Sequence, residues 1–458
     1  MDISRRAILL ASCAALMTAA SKSASAATVK RPNFIVIYVD DLGYGDVGPT
    51  GGRTIKTPNL DRMARQGTTL TDYYAPANLC TPSRAGFLTG RYPIRTGLAK
   101  GVIMQNDTRG LPLSEVTLGK ALQPTYATAM IGKWHLGHTG ASWPPTKHGF
   151  DLFYGLPYSH DMLPLELYEA NAAGVSSQAV DFPMLQQQFY ARAERFIEDN
   201  KTRPFFLALT LSAPHLPSFP NPAFAGKSAA GAYGDCVAEI DSIVGRLMAK
   251  LEADGLARNT LVVFTSDNGP WFEGSSGGLR ERKGGGGYDG GSRVPFIAWQ
   301  PGTIPAGKRT DSIAMGIDFL PTFCAMAGVP LPAGVELDGK DITAVLTRGA
   351  ASPHEQLLLF NDEDIVGLRT QRYSYVAADY SRYGLISTED RGYPQLYDAR
   401  DKSEAYSVAS LHPDIYKAMR ARMEVARATF DPLRTNPKSG VLKVPPEMKT
   451  PLPEMWRD

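Results

Sequence analysis

Cysteine is scarce in this chain: 4 residues in 458, at positions 13, 80, 236 and 324. So few thiols, so widely spaced, exclude the disulfide framework of a small secreted scaffold. Histidine is nearly as rare, with 7 in the whole sequence, so each one carries information. A surplus of charge is missing too, the formal net charge being +2. That balance argues against a nucleic-acid partner, which would call for a basic face. Long apolar runs are absent as well. The N-terminal run from Ala7 to Ala20 falls short of the roughly 20 residues that a membrane-spanning helix needs, so no transmembrane anchor is expected. No internal repeat is visible.

What remains is ample core material, 43% hydrophobic residues over a length suited to one large and one small domain. Residues 1–26 read as an export signal. Ser4-Arg5-Arg6 precedes the apolar run, and Ala24-Ser25-Ala26 is a small-residue cleavage pattern. The paired arginines resemble a twin-arginine signal, which would hand a folded chain to the export machinery and place it in the periplasm or outside the cell. Removing the segment leaves a formally neutral chain, so any affinity for anions must be local. Leu10-Ala11-Ser12-Cys13 resembles a lipoprotein box, but few apolar residues precede it, and lipid anchoring through Cys13 is the less favoured reading.

Continuous apolar, β-branched runs mark strands buried on both faces: Asn33 to Val39, Ala127 to Ile131, Pro204 to Leu211 and Leu261 to Ser266. Helical patterns fall between them, at Asn59 to Gly67, Ala191 to Asn200 and Tyr233 to Leu256. This alternation predicts an α/β sandwich around a mostly parallel sheet, in which ligands bind at the carboxyl ends of strands. Chemistry-bearing residues stand at those ends. Asp40 and Asp41 follow the first run, with Asp46 as a turn residue. Lys133 and His135 follow the second, His215 the third, and Asp267 with Asn268 the fourth. Each also has a plainer account, since Asp, Asn and Gly form turns and a lone histidine is more often structural. Asp40, Asp41, Asp267 and Asn268 together make an all-oxygen donor set, suited to calcium or magnesium rather than zinc.

The stretch Leu79 to Gly97 is the most distinctive. Thr81-Pro82 suits the start of a helix running from Ser83 to Thr89, Thr81 as N-cap and Pro82 in the first turn. Cys80 would then lie at a helix N-terminus, where negative charge is favoured, with Arg84 reaching back to it. The plainer reading is a small buried hydrophobe. Cys236 and Cys324, in apolar helical surroundings, are expected to be buried thiols rather than a pair.

Cys80-x-Pro82-Ser83-Arg84, with Leu88-Thr89-Gly90-Arg91 and Arg95-x-Gly97, resembles the signature of the type I, arylsulfatase A-like sulfatases of the alkaline phosphatase superfamily. So do Asp40-Asp-Leu-Gly-Tyr-Gly-Asp46, Gly132-Lys-Trp-His-Leu-Gly137 and Ser266-Asp-Asn-Gly269, in the family's order over nearly the whole chain. The resemblance implies an alkaline-phosphatase-like α/β/α sandwich over 27–355 and a smaller α+β domain with an antiparallel sheet over 356–458. Leu396-Tyr-Asp398, Asp401 and Glu404 match the latter, without the asparagine expected next. It implies sulfate ester hydrolysis through formylglycine made from Cys80 by a maturing enzyme. Asp40, Asp41, Asp267, Asn268 and position 80 would surround one calcium ion. A formylglycine hydrate oxygen, stabilised by Arg84, would attack sulfur while His215 protonates the leaving alcohol; His135 would serve as general base in releasing sulfate. Lys133, Ser159 and Lys283 would hold sulfate oxygens, with His160 a bystander. The loop Leu279 to Pro295 departs from the pattern. It has one extra residue between Lys283 and Tyr288, four successive glycines and Asp289 where glutamate is usual, which makes Arg282 the nearest substitute for Lys283.

The substrate is expected to be a sulfated small molecule or carbohydrate, recognised by loops around 142–161 and 214–231. The rivals are a phosphonate monoester or phosphodiester hydrolase of the same superfamily and a non-catalytic binder of sulfated glycans.

Overall fold

The computed structural model describes residues 31–381, 384–442 and 449; the stretch read as an export signal, with Cys13, lies outside them. The described residues from Pro32 onward form one compact unit. Its main sheet contains β1 (Asn33–Val39), β2 (Thr68–Leu70), β4 (Ala127–Lys133), β5 (Leu152–Leu156), β6 (Glu166–Asn171), β7 (Gly174–Ala179), β8 (Phe205–Thr210), β9 (Thr260–Ser266), β10 (Phe296–Trp299) and β11 (Lys308–Thr310). These lie in the order β11-β2-β10-β9-β1-β8-β4-β5-β6-β7. The middle five, β9-β1-β8-β4-β5, are mutually parallel, while β10 and the β6–β7 hairpin run antiparallel.

The alternation of side chains along β1 shows why the central runs are apolar throughout. Phe34, Val36 and Tyr38 enter one core and Ile35, Ile37 and Val39 the other. Helices α1 (Pro58–Gln66), α4 (Leu185–Asp199) and α5 (Gly231–Ala253) cover the second face. Helices α2 (Cys80–Thr89), α3 (Leu118–Leu122), α6 (Phe319–Ala327) and α7 (Thr343–Arg348) cover the first. The result is an alkaline-phosphatase-like α/β sandwich.

Two short strands, β3 (Tyr73–Tyr74) and β12 (Ala314–Met315), pair beside it. Further on, β13 (Leu357–Asn361), β14 (Asp364–Arg369), β15 (Tyr373–Val376) and β18 (Leu396–Asp398) form a small antiparallel sheet, and β16 (Ala378–Ser381) pairs with β17 (Gly384–Ser387). Helix α8 (Pro413–Phe430) sends Tyr416, Met419, Met423 and Phe430 into the core under that sheet.

One local expectation is corrected, and two elements go beyond the sequence pattern. Helix α2 opens at Cys80 with Leu79 as N-cap, because the Thr81 hydroxyl is engaged elsewhere. The β6–β7 hairpin was not anticipated, since β7 is exposed along its length and shows no apolar alternation. Nor was helix α7 anticipated, because it lies within the Pro- and Gly-rich stretch 328–354. Cys80, Cys236 and Cys324 are free and buried.

Candidate active site

The five parallel strands end on one edge, and their ends build the floor of a cavity. Asp40 and Asp41 follow β1, Lys133 ends β4, Ser159 follows β5, His215 follows β8, and Asp267 with Asn268 follows β9. A bridge between Asp40 and Pro214 ties the ends of β1 and β8 together. Asp41 and His135 both adopt left-handed backbone, φ 64° and 59°, uncommon for residues with a Cβ. Each turns sharply out of its strand direction, so its side chain stays at the floor rather than continuing the sheet.

Cys80 enters from the first turn of α2. Its Sγ lies 3.4 Å from Asp40 Oδ1 and 3.9 Å from Asp41 Oδ1. Burial and the Asp40 charge push the thiol well above its ordinary range, although Lys133 and Lys283 oppose them. The helix N-terminus does not outweigh burial among carboxylates, and the unmodified thiol is a poor nucleophile here.

Three cations converge on these carboxylates. Arg84 is 1% exposed; its Nε donates to Asp267 Oδ2 at 3.0 Å, its Nη2 forms an ion pair with the same oxygen at 2.8 Å, and Nη1 donates to the Lys133 carbonyl. Lys133 Nζ lies 2.6 Å from Asp40 Oδ2 and 3.2 Å from Ser159 Oγ. Lys283 Nζ lies 2.7 Å from Asp41 Oδ2. Arg282 faces away, donating to the Trp271 and Gly274 carbonyls. The inserted glycine-rich loop thus delivers Lys283, not Arg282, to the floor.

The histidines are oriented by backbone carbonyls. His135 Nε2 donates to Ile103 O at 2.9 Å, leaving a buried Nδ1 without a hydrogen-bond partner. Burial, Lys133 and Arg84 hold its pKa well below the ordinary histidine value, so the ring is neutral with a free lone pair. His215 Nδ1 donates to Leu216 O, and its Nε2 faces Ser159 Oγ at 3.4 Å and Asp41 Oδ2 at 3.6 Å. His160 donates to Pro217 O and packs edge-on against the His215 ring. Asp46 is more than a turn former: buried, it accepts from Gly43 N, Ser275 N and the Tyr233 hydroxyl.

The donor set fits a hard divalent cation. Ligand atoms of Asp40, Asp41, Cys80 and Asp267 all lie within 4.8 Å of one another. Asn268 Nδ2 donates to Asp41 Oδ1, while its Oδ1 is buried with no partner. An orphaned amide oxygen beside three carboxylates is what a cation would satisfy. Burial and the Asp40 charge push Asp267 upward despite Arg84, a sign that the cluster is short of positive charge.

Above this floor the cavity measures about 610 Å³. Its wall is mostly apolar, with Val102, Met104, Met162, Leu216 and Trp271, and Asp161 as the one carboxylate toward the rim. The loops around 142–161 and 214–231 supply part of this wall. Val102, Met104 and Trp271 come from elsewhere; no local motif marks them in the sequence.

Fold and site together define a hydrolase of the alkaline-phosphatase-like class, with two lysines and a serine gathered beside a cluster of carboxylates. The chain belongs to the sulfatase family. The family model "Sulfatase" matches residues 32–329. Human arylsulfatase A is 37% identical over 89% of this chain and 90% of its own length. Mouse steryl-sulfatase is 34% identical, over 78% of this chain and 71% of its own. Among solved structures, the PsFucS1 sulfatase from Pseudoalteromonas sp. superposes with a TM-score of 0.81 at 30% identity, covering 89% of this chain and 92% of that one. The protein is a sulfatase, a sulfuric ester hydrolase.

Proposed function

We propose that this sulfatase cleaves a sulfate monoester, of an aryl alcohol or a carbohydrate, to the alcohol and sulfate, using formylglycine made from Cys80 beside one calcium ion. The observation that carries the reading is the convergence of Cys80, three carboxylates, two lysines, Ser159 and two oriented histidines on one cavity floor. Asp40, Asp41, Asp267 and Asn268 would hold the cation. Their oxygen-only donors favour calcium, with magnesium second because it demands a tighter octahedron. When bound, the cation and the hydrated aldehyde supply an oxygen nucleophile at neutral pH and draw charge from the sulfate. Cys80 Sγ stands where that oxygen would be.

The chain's own residues do the rest. Lys133, Lys283 and Ser159 bind sulfate oxygens and orient the ester; Arg84 adds fixed positive charge beneath position 80. Donors already in place need no rearrangement as charge develops, commonly the largest contribution to such catalysis. His215 holds a proton on Nε2 and passes it to the departing alcohol oxygen. His135, neutral and with Nδ1 open, accepts a proton from the group at position 80. The apolar wall receives the alcohol portion of the ester. A maturing enzyme must act on Cys80, and an export system carries the chain to the periplasm or beyond.

The decisive experiment is mass spectrometry of the peptide spanning Cys80, from protein whose turnover of an aryl sulfate and an aryl phosphonate diester has been measured. The aldehyde and preference for the sulfate are expected. Cys80→Ser, unless itself oxidised, loses turnover. Protein from its native host that turns over its ester with an untouched thiol refutes the reading, and preference for the phosphonate moves it to the phosphorus-ester branch.

A further inference from the structure

The loop that carries Lys283 contains four successive glycines and a single short 3-10 turn, Asp289–Gly291, yet it holds its lysine 2.7 Å from Asp41 Oδ2. Its anchorage comes from the small antiparallel sheet and the neighbouring β16–β17 pair. Gly287 N donates to Ala378 O, and a Cβ at Gly287 would sit 2.2 Å from Val366 O; one at Gly286 would meet Ala378 O at 3.0 Å. The glycines therefore let the loop lie directly on β14 and β16. Asn78, just before Cys80, clamps the other side, donating to Gly285 O and to Asn361 Oδ1 at the end of β13.

At the far end of the loop Asp289 is a buried hub. Glu404 Oε2 accepts from Asp289 N at 3.0 Å, and the Asp289 carboxylate accepts from Arg369 and from Arg293. Glu404 Oε1 in turn accepts from Arg369 Nη2 at 3.0 Å and from Ser374 Oγ at 2.7 Å. Two further links run from the hub to the floor. The Tyr74 hydroxyl donates to Asp289 Oδ2, six residues ahead of Cys80. Gly269 N donates to Gly291 O, directly after Asn268. An aspartate suits this place because its short side chain keeps the hub close to the backbone it organises.

We infer that Arg369 and Glu404 are positioning residues for sulfate hydrolysis: through Asp289 they set the register of the loop that presents Lys283, which makes the small sheet a working part of the active site. The inference rests on the proposed role of Lys283 in holding sulfate. Neither Arg369 nor Glu404 lines the cavity, so their effect is indirect, and the inference assigns it to the lysine-bearing loop rather than to the Tyr74 and Gly269 links.

The test is a double-mutant cycle with Glu404→Gln and Lys283→Ala. Glutamine keeps the size of the side chain but offers one acceptor oxygen in place of two, so about a 10- to 100-fold loss in kcat/KM on an aryl sulfate is expected, the scale of one buried charged hydrogen bond. Its division between KM and kcat should copy that of Lys283→Ala. In the Lys283→Ala background the further loss should shrink to about twofold or less, because groups acting through one another are not additive. Losses that multiply, with wild-type turnover intact, overturn the inference and leave the proposed function standing. A wild-type protein inert toward sulfate esters overturns the function instead. Ser374→Ala, which removes only the hydroxyl steadying Glu404, is the milder second variant, for use if Glu404→Gln does not fold. Affinity for inorganic sulfate, measured by calorimetry across the same cycle, should follow the same non-additive pattern without any turnover.

Discussion

Thr81 links helix α2 to the loop carrying His135, and replacing it with valine isolates that link. The hydroxyl donates to His135 O at 3.0 Å and accepts from Ile103 N at 3.0 Å, while His135 Nε2 donates to the Ile103 carbonyl. Thr81 is fully buried. Thr81→Val keeps the shape and removes the bridge, leaving a buried C=O and a buried N–H without partners. At about 1–2 kcal/mol for each group, the fold should lose about 2–4 kcal/mol. Thr81→Ser keeps the bridge and loses one methyl, about 0.8 kcal/mol. Urea denaturation followed by tryptophan fluorescence measures both. Turnover should separate them further, since His135 holds a left-handed backbone that this bridge helps fix. The valine enzyme should lose kcat at little change in KM, and the serine enzyme should stay near wild type. If valine destabilises no more than serine, the bridge carries no weight and the reasoning fails.

Other perturbations reach different parts of the molecule. Burial pushes Asp46 up to about 6, outweighing its hydrogen bonds from Tyr233, Ser275 and Gly43. The native state then keeps a proton that the unfolded carboxyl, with its ordinary value of 3.8, releases. Stability should therefore fall as pH rises from about 4 to about 6 and level off above, by up to about 3 kcal/mol. Asp46→Asn should lack this slope; a wild type that gains on the variant as pH rises contradicts the sign. Incubation with a calcium chelator should abolish sulfate ester turnover, with recovery on adding calcium and less with magnesium; undiminished activity in metal-free protein argues against the cage. Trp271, 42% exposed on the cavity wall, should contribute about 1–2 kcal/mol to binding an aromatic ester. Trp271→Ala then raises KM about tenfold at nearly constant kcat, and an unchanged KM removes it from the substrate's path.

Much of the architecture is legible in the chain because parallel strands buried on both faces need unbroken apolar runs. The run at Asn33 to Val39 is a strand over that same range, and the residues after it sit at the cavity floor. Local composition could also announce Cys80, since its neighbours form an extended motif. Features that depend on long-range contact were not legible. The hairpin β6–β7 is stabilised by backbone pairing alone at its outer strand, so no apolar pattern marks it. Thr81 looks like a helix cap from its neighbours, but its partners lie 22 and 54 residues away. Asp289 stood out in sequence only as a departure from glutamate; its importance follows from Arg369 and Glu404, more than 75 residues further along the chain.

Cys80 is 1% exposed in the folded chain, with carboxylates around its sulfur and helix α2 behind it. Another protein cannot grip a peptide sealed in that way. If the residue is chemically rebuilt, the rebuilding belongs to the interval between synthesis and closure of the fold. On that condition a chain that folds first stays unconverted, and the proportion of converted molecules is decided by a race rather than by an equilibrium.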